Sequence, residues 1–119
     1  MKKYKTIRIS DSVLSDVRAL QTDGETLINA IDGIIDKFNE SQKYIYDVVI
    51  KEGDIYYLDI EGIRRAFKTN ETLNNIIRVT EDVFNKLNSI KAHPDETFNT
   101  TIFRAVSTEM AVIEWNTDN

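Results

Sequence analysis

A chain of 119 residues makes one or two small domains, which bury little apolar surface unless their elements associate. With 41% apolar and 29% charged residues the composition is that of a soluble protein, and no apolar run approaches the roughly 20 residues that cross a bilayer. Cysteine is absent, which excludes disulfides and thiolate chemistry, and a net charge of −5 excludes nucleic-acid binding driven by bulk charge, so any such surface must be locally cationic.

The opening MKKYKTIRISD alternates polar and apolar residues without an apolar core segment. No secretory leader is expected, and the expected location is cytoplasmic. KTIRIS reads as a half-buried strand, with Ile7 and Ile9 on one face and Thr6, Arg8 and Ser10 on the other. Ser10 or Asp11 offers an N-cap to a helix whose apolar stripe is Val13, Leu14, Val17 and Leu20. QTDGE breaks that helix, with Gly24 free to take a positive φ. Thr26 then caps a second helix with the stripe Leu27, Ala30, Ile31, Ile34, Ile35 and Phe38.

Residues 39–74 are too long and too apolar for a plain linker. YIYDVVI and IYYLDI are rich in β-branched and aromatic residues and flank the turn-like KEGD, which predicts a hairpin of Tyr44–Ile50 with Ile55–Ile60. EGIRRAFK is expected to form a short helix before the loop TNET. The rival reading runs the preceding helix on through NESQKYIYDVV. Tyr44, Tyr46, Tyr56 and Tyr57 either pack this module or form an aromatic contact surface for a protein partner. Arg64, Arg65 and Lys68 form a basic cluster, better explained as a solvated helix face than as a nucleic-acid contact.

Ile76–Leu87, IIRVTEDVFNKL, repeats the plan of Thr6–Val17. A slide of 70 positions pairs Ile7 with Ile77, Arg8 with Arg78, Ile9 with Val79, Ser10 with Thr80, Val13 with Val83, Val17 with Leu87 and Leu20 with Ile90. One residue is gained near Pro94, after which a slide of 71 pairs Glu25 with Glu96, Leu27 with Phe98, Ile31 with Ile102 and Ile35 with Val106. In this second copy Ile76, Arg78 and Thr80 take the outward strand positions. AHPDE breaks the chain and Thr97 caps a helix with the stripe Phe98, Ile102, Ala105 and Val106, extended by Met110. EWNTDN reads as a frayed acidic end whose Trp115 folds back on the core.

One strand and two short helices cannot close a core alone, whereas two copies back to back can. The arrangement resembles the ribbon-helix-helix superfamily of DNA-binding proteins, and is similar to short archaeal antitoxin-like and viral regulators of that fold. The resemblance covers roughly residues 4–38 and 74–110. It implies an α+β fold of tandem ribbon-helix-helix units (strand-helix-helix twice) with an inserted hairpin and short-helix module. The divisions are residues 1–39, 40–73 and 74–112, with a tail at 113–119.

In that family an antiparallel ribbon enters the major groove and the second helix holds a phosphate at its N-terminus. Carried over by position, Thr6, Arg8, Ser10, Ile76, Arg78 and Thr80 would contact bases. Thr26 and Thr97, with Lys3 and Lys5, would contact phosphates. The implied partner is double-stranded DNA, bound by a homodimer or by an intramolecular pseudo-dimer. Against this, an exposed strand Arg is commonly just solvated, and Glu25 and Glu96 sit beside the phosphate positions. The alternative is an acidic protein-interaction module, antitoxin-like or inhibitory, on the same scaffold.

No Gly-rich phosphate loop or metal-ligand cluster is present, and the lone His93 lies beside Pro94 in a turn. Glu81-Asp82 and Asp95-Glu96 fall at helix starts, where they favour the dipole. The sequons at Asn39, Asn70 and Asn99 mean little without a leader. No enzymatic activity, cofactor, metal or membrane association is expected.

Overall fold

KTIRI and NIIRV are realised as two strands that pair with each other, although 70 positions separate them. The computed structural model describes residues 3–41, 46–53, 55–60, 63–68 and 70–118; in the insert and at the C-terminal end some of these are described by backbone alone. In chain order the elements are β1 (Tyr4–Ile9), α1 (Asp11–Leu20), α2 (Leu27–Glu40), β2 (Tyr46–Glu52), β3 (Ile55–Ile60), β4 (Ile63–Lys68), β5 (Asn75–Thr80), α3 (Glu81–Ser89) and α4 (Phe98–Asp118). The fold class is α+β, as expected.

Strands β1 and β5 form a two-stranded antiparallel ribbon within one chain. Its register sets Thr6 opposite Arg78, Ile7 opposite Ile77 and Arg8 opposite Ile76. Ile7 and Ile77 are equivalent in the repeat and face each other, so an approximate twofold axis passes through that pair. The inward residues Ile7, Ile9, Ile77 and Val79 are buried. Val13 and Val17 of α1, Val83 and Leu87 of α3, and Ile31, Ile35, Ile102 and Val106 of α2 and α4 close over them.

Capping is matched between the copies. Ser10 Oγ accepts the Val13 amide at 3.3 Å, and Thr80 Oγ1 accepts the Val83 amide at 3.2 Å. Gly24 takes φ 80° in the loop that ends α1, a conformation other residues adopt only with strain.

Helix α2 stops at Glu40, which removes the reading that ran it on through the insert. The expected hairpin is present as β2 and β3, but Tyr44 lies outside the described residues. The helix expected for EGIRRAFK is instead strand β4 over Ile63–Lys68, pairing with β3 in a sheet of order β2-β3-β4. Two physical reasons favour the strand. A single helical turn or two has little stability of its own, whereas the open edge of β3 supplies ladder bonds. The burial of IRRAFK also alternates, with Arg65 and Phe67 inward and Arg64, Ala66 and Lys68 outward. Phe67 stacks on Phe103 of α4 with ring centroids 4.3 Å apart, which docks the inserted sheet on the helices.

Helix α4 continues to Asp118, so no separate tail begins at residue 113. No Gly or Pro interrupts residues 98–118, and Ala111 is still buried. The Trp115 side chain and Asn119 lie outside the described part.

Truncating Ile9, which is fully buried beneath the ribbon, is expected to be costly. Ile9→Ala should destabilise the fold by about 2–5 kcal/mol in urea unfolding. Phe67→Ala should cost a similar amount if the inserted sheet unfolds together with the helices, and leave the main transition unchanged if it does not.

Candidate nucleic-acid interface

The pleat leaves one face of the ribbon to solvent. Along β1 the exposed outward residues are Tyr4, Thr6 and Arg8; along β5 they are Ile76 and Arg78, with Thr80 half-buried at the end. Ile76 is 62% exposed, a large value for an isoleucine with no apolar neighbour covering it. This face carries two guanidinium groups and no carboxylate. The Arg78 guanidinium lies 4.1 Å from the centroid of the Tyr4 ring, a cation–π contact that aligns it along the ribbon. Among the described residues Arg8 makes no hydrogen bond or ion pair.

Two residues expected on this face do different work. Ser10 lies one residue beyond β1 and is 1% exposed. Its hydroxyl caps α1 and its amide donates to Asn99 Oδ1 at 2.8 Å, so it cannot present a side chain to a base. The strand ends there because the cap requires it, and the alternation that assigned Ser10 outward stops with it. Thr80 keeps its expected place at the end of β5, but its hydroxyl is engaged by the Val83 amide.

The helix N-termini flank the ribbon. Thr26 Oγ1 accepts the Asn29 amide at 3.2 Å, and Thr97 Oγ1 accepts the Thr100 amide at 3.1 Å. Each cap uses one first-turn donor and leaves the earlier ones directed outward along the helix axis. Lys3 is exposed, and its carbonyl accepts the Glu81 amide at 3.0 Å, tying the chain start to α3. Lys5 is exposed at 5.8 Å from the Phe84 ring.

Glu25 and Glu96 turn away from the helix N-termini. Glu25 accepts the Thr22 amide at 3.2 Å. Glu96 folds inward, and its side chain is 5% exposed beside an Arg104 side chain that is 4% exposed. Arg104 grips it through Nη2 to Oε1 at 2.6 Å and Nε to Oε2 at 2.8 Å, while Nη2 also donates to the Ile90 carbonyl at 2.7 Å. Glu96 Oε1 also accepts from Thr101 Oγ1 at 2.7 Å and from the Ala92 amide at 3.2 Å. Burial alone would raise the Glu96 carboxyl; the Arg104 and Thr101 hydrogen bonds, the Arg104 charge and the Ala92 amide outweigh it and hold the group below its usual range.

The two ends of the ribbon differ. At the Ser10 end, Asn99 of α4 closes the junction. Its counterpart in the first copy is Ile28, which has no polar group to repeat the bond. There an open groove of about 850 Å³ separates the start of α2 from the start of α3, lined by Lys3, Asn29, Asp32, Glu81, Asp82 and Lys86 among others. Lys86 is bound by Asp32 at 2.7 Å and Asp36 at 3.4 Å, and the Asp32 hydrogen bond raises its pKa.

In the basic cluster of the insert both arginines have protein partners, whereas Lys68 is exposed. Arg65 reaches Ser107 Oγ at 3.1 Å and Asp16 at 3.4 Å, and Arg64 pairs with Asp59 at 3.6 Å. Of the four insert tyrosines only the Tyr57 side chain is described; it is half-buried, with Arg64 5.7 Å from its ring. His93 is exposed in its turn, and no group of His, Cys, Asp or Glu among the described residues is placed to hold a metal. No described helix is long and apolar enough to cross a membrane.

Tyr4 and Arg104 were not anticipated. Tyr4 shares the two-residue phase of Thr6 and Arg8, so alternation could have found it. Arg104 stands inside the apolar stripe between Ile102 and Ala105, and a charge in that position signals a buried partner.

No family model, curated protein or solved structure matches this chain.

Because the folded Glu96 carboxyl titrates below its ordinary value of 4.5, the ion pair contributes in full above that pH. The contribution disappears as pH falls through the lower folded value. Glu96→Gln, which leaves Arg104 buried without its counter-charge, should cost about 3–5 kcal/mol near neutrality. In denaturant titrations it should also lose less stability than the parent between about pH 5 and pH 3.

Proposed function

We propose that this chain is a sequence-specific regulator of transcription that inserts the β1–β5 ribbon into the DNA major groove, as tandem ribbon-helix-helix units acting as a one-chain pseudo-dimer in the cytoplasm. The observation that carries the reading is the placement of Arg8 and Arg78 on one acid-free exposed face, on opposite sides of the Ile7–Ile77 axis. The register offsets them by two residues along the ribbon, about 7 Å or roughly two base-pair steps. Arginine is the side chain best suited to bidentate bonding with guanine, and each such contact discriminates by about 1–3 kcal/mol.

Thr6 and Ile76 occupy equivalent outward positions but differ in chemistry. Thr bonds to several bases, whereas Ile can only pack on a thymine methyl. The preferred site is therefore an imperfect palindrome, with the methyl contact on one half. The outward amides at Thr26 and Thr97, with Lys3 and Lys5, supply the backbone contacts that fix the register.

A second reading is an acidic protein-interaction module on the same scaffold. It is favoured by Asp32, Glu81 and Asp82 along the groove at one ribbon end, where a phosphate backbone would meet negative charge. Retention of a basic partner protein together with no DNA affinity would select it.

Gel shift against random-sequence duplexes and genomic fragments tests the choice. Arg8→Ala and Arg78→Ala should each weaken the selected site by about 1–3 kcal/mol and relax preference at one position. Undiminished binding by the double variant would remove the proposed readout. Failure to retain any fragment at low salt would remove the DNA-binding function.

A further inference from the structure

The two halves differ at one buried position in a way that points to a ligand. In the second half the Arg104 guanidinium is held by the Glu96 carboxylate and the Ile90 carbonyl, and lies 5.7 Å from the Phe38 ring of α2. The repeat assigns a counterpart to each of these groups in the first half. Glu96 corresponds to Glu25, Ile90 to Leu20 and Phe38 to Glu109, while Arg104 corresponds to Gly33.

The amide bonds to the two loop carboxylates also correspond, although α1 ends at Leu20 and α3 one equivalent residue earlier, at Ser89. Glu25 takes the Thr22 amide as Glu96 takes the Ala92 amide, with the extra residue near Pro94 absorbed in the second loop. A carboxylate and a facing helix are therefore in place in the first half, and Leu20 lines the same space. What is missing is the guanidinium.

A cavity of about 140 Å³ occupies the vacated position, lined by Leu20, Glu25, Gly33, Lys37, Glu109 and Ile113 among others. A Cβ built on Gly33 would meet nothing within 4 Å, so no close backbone approach requires glycine there. Glycine inside a helix weakens it, and here the gain is open space. The Glu109 side chain is only 10% exposed, and its partner Lys37 approaches from the surface at 3.3 Å and is 61% exposed. The Glu25 carboxylate accepts a bond only from the Thr22 amide among the described residues, and Ala30 stands where Thr101 donates to Glu96. Glu25 and Glu109 thus both line the cavity, with the exposed Lys37 ammonium paired to Glu109.

We infer that the cavity at Gly33 is a binding site for a guanidinium group supplied from outside the chain, as free arginine or as an arginine side chain of a peptide or protein. The planar group takes the place that Arg104 fills in the other half, with Glu25 as the bidentate acceptor and Glu109 as the second negative charge. A lysine ammonium lacks the paired donors that Glu25 demands. The inference rests on the repeat and the cavity, and is independent of whether the ribbon binds DNA.

The test is an amide chemical-shift titration of the full chain with three probes: N-acetyl-arginine N-methylamide, free arginine, and N-acetyl-lysine N-methylamide. Saturable shifts confined to the residues around Gly33 are expected with the blocked arginine, and at least tenfold weaker binding with the lysine probe. Binding of free arginine as tight as the blocked probe assigns the site to the amino acid; tighter binding of the blocked probe assigns it to arginine within a polypeptide. Glu25→Gln should weaken the arginine probe at least tenfold. Gly33→Arg, which supplies the group covalently, should abolish the response and raise the melting temperature. Shifts that do not saturate, or that the lysine probe reproduces equally, would overturn the inference whatever the variants do.

Discussion

Everything in this molecule depends on the pairing of β1 with β5. A two-stranded ribbon is marginal by itself, and this one persists because its inner face is roofed by helices. Ile7, Ile9, Ile77 and Val79 each fall on that inner face only in the observed register. A slip of one residue would turn them to water and drive Arg8 and Arg78 into the core. The same constraint that fixes the core therefore fixes the outward pair of arginines, and the insert must loop out from one side to let the strands meet.

Joining two copies in one chain lets the halves diverge while the axis between them is kept. Each difference has a local physical reading. Asn99 closes one ribbon end with a bond to the Ser10 amide, and Ile28 leaves the other open. Helix α4 spans 21 residues against 14 for α2, and the extra length lies beyond the position where α2 gives way to the insert. Arg104 fills the interior of one half, and Gly33 empties the same place in the other. The second half carries the buried ion pair and receives the inserted sheet through Phe103 and Ser107. The first half is the more open of the two.

Much of the scaffold was legible because its signals are local. Alternation at Ile7 and Ile9, caps at Ser10, Thr26 and Thr97, and helical stripes all follow from short-range geometry. The slide of 70 then marks the two strands as equivalent, and leaves open whether each pairs with the other or with a second chain; the β1–β5 ladder shows the first. What escaped was set by distant partners. The residues Arg64 and Arg65 looked like a helix surface, but Arg65 turns inward because Asp16 and Ser107 wait there. Ser10 fits either a strand or a cap, and the Asn99 bond from the far half of the chain decides it. Arg104 has the same origin: its partners Glu96 and the Ile90 carbonyl are brought to it by a turn whose path the sequence does not spell out.

The net charge of −5 bears on how a DNA-binding ribbon of this kind would work. At physiological ionic strength fields fade over about 8 Å, so carboxylates on the far helices are largely screened from a duplex at the ribbon. Those beside it, such as Glu81 and Asp82, are not. If the ribbon binds DNA as proposed, the consequence would be a small counterion-release contribution and weak attachment to arbitrary sequence. Base contacts by Arg8 and Arg78 would then carry an unusually large share of the total free energy. A protein built this way gives up general affinity and keeps discrimination, since the repulsion is common to every sequence whereas the guanidinium–guanine bonds are not.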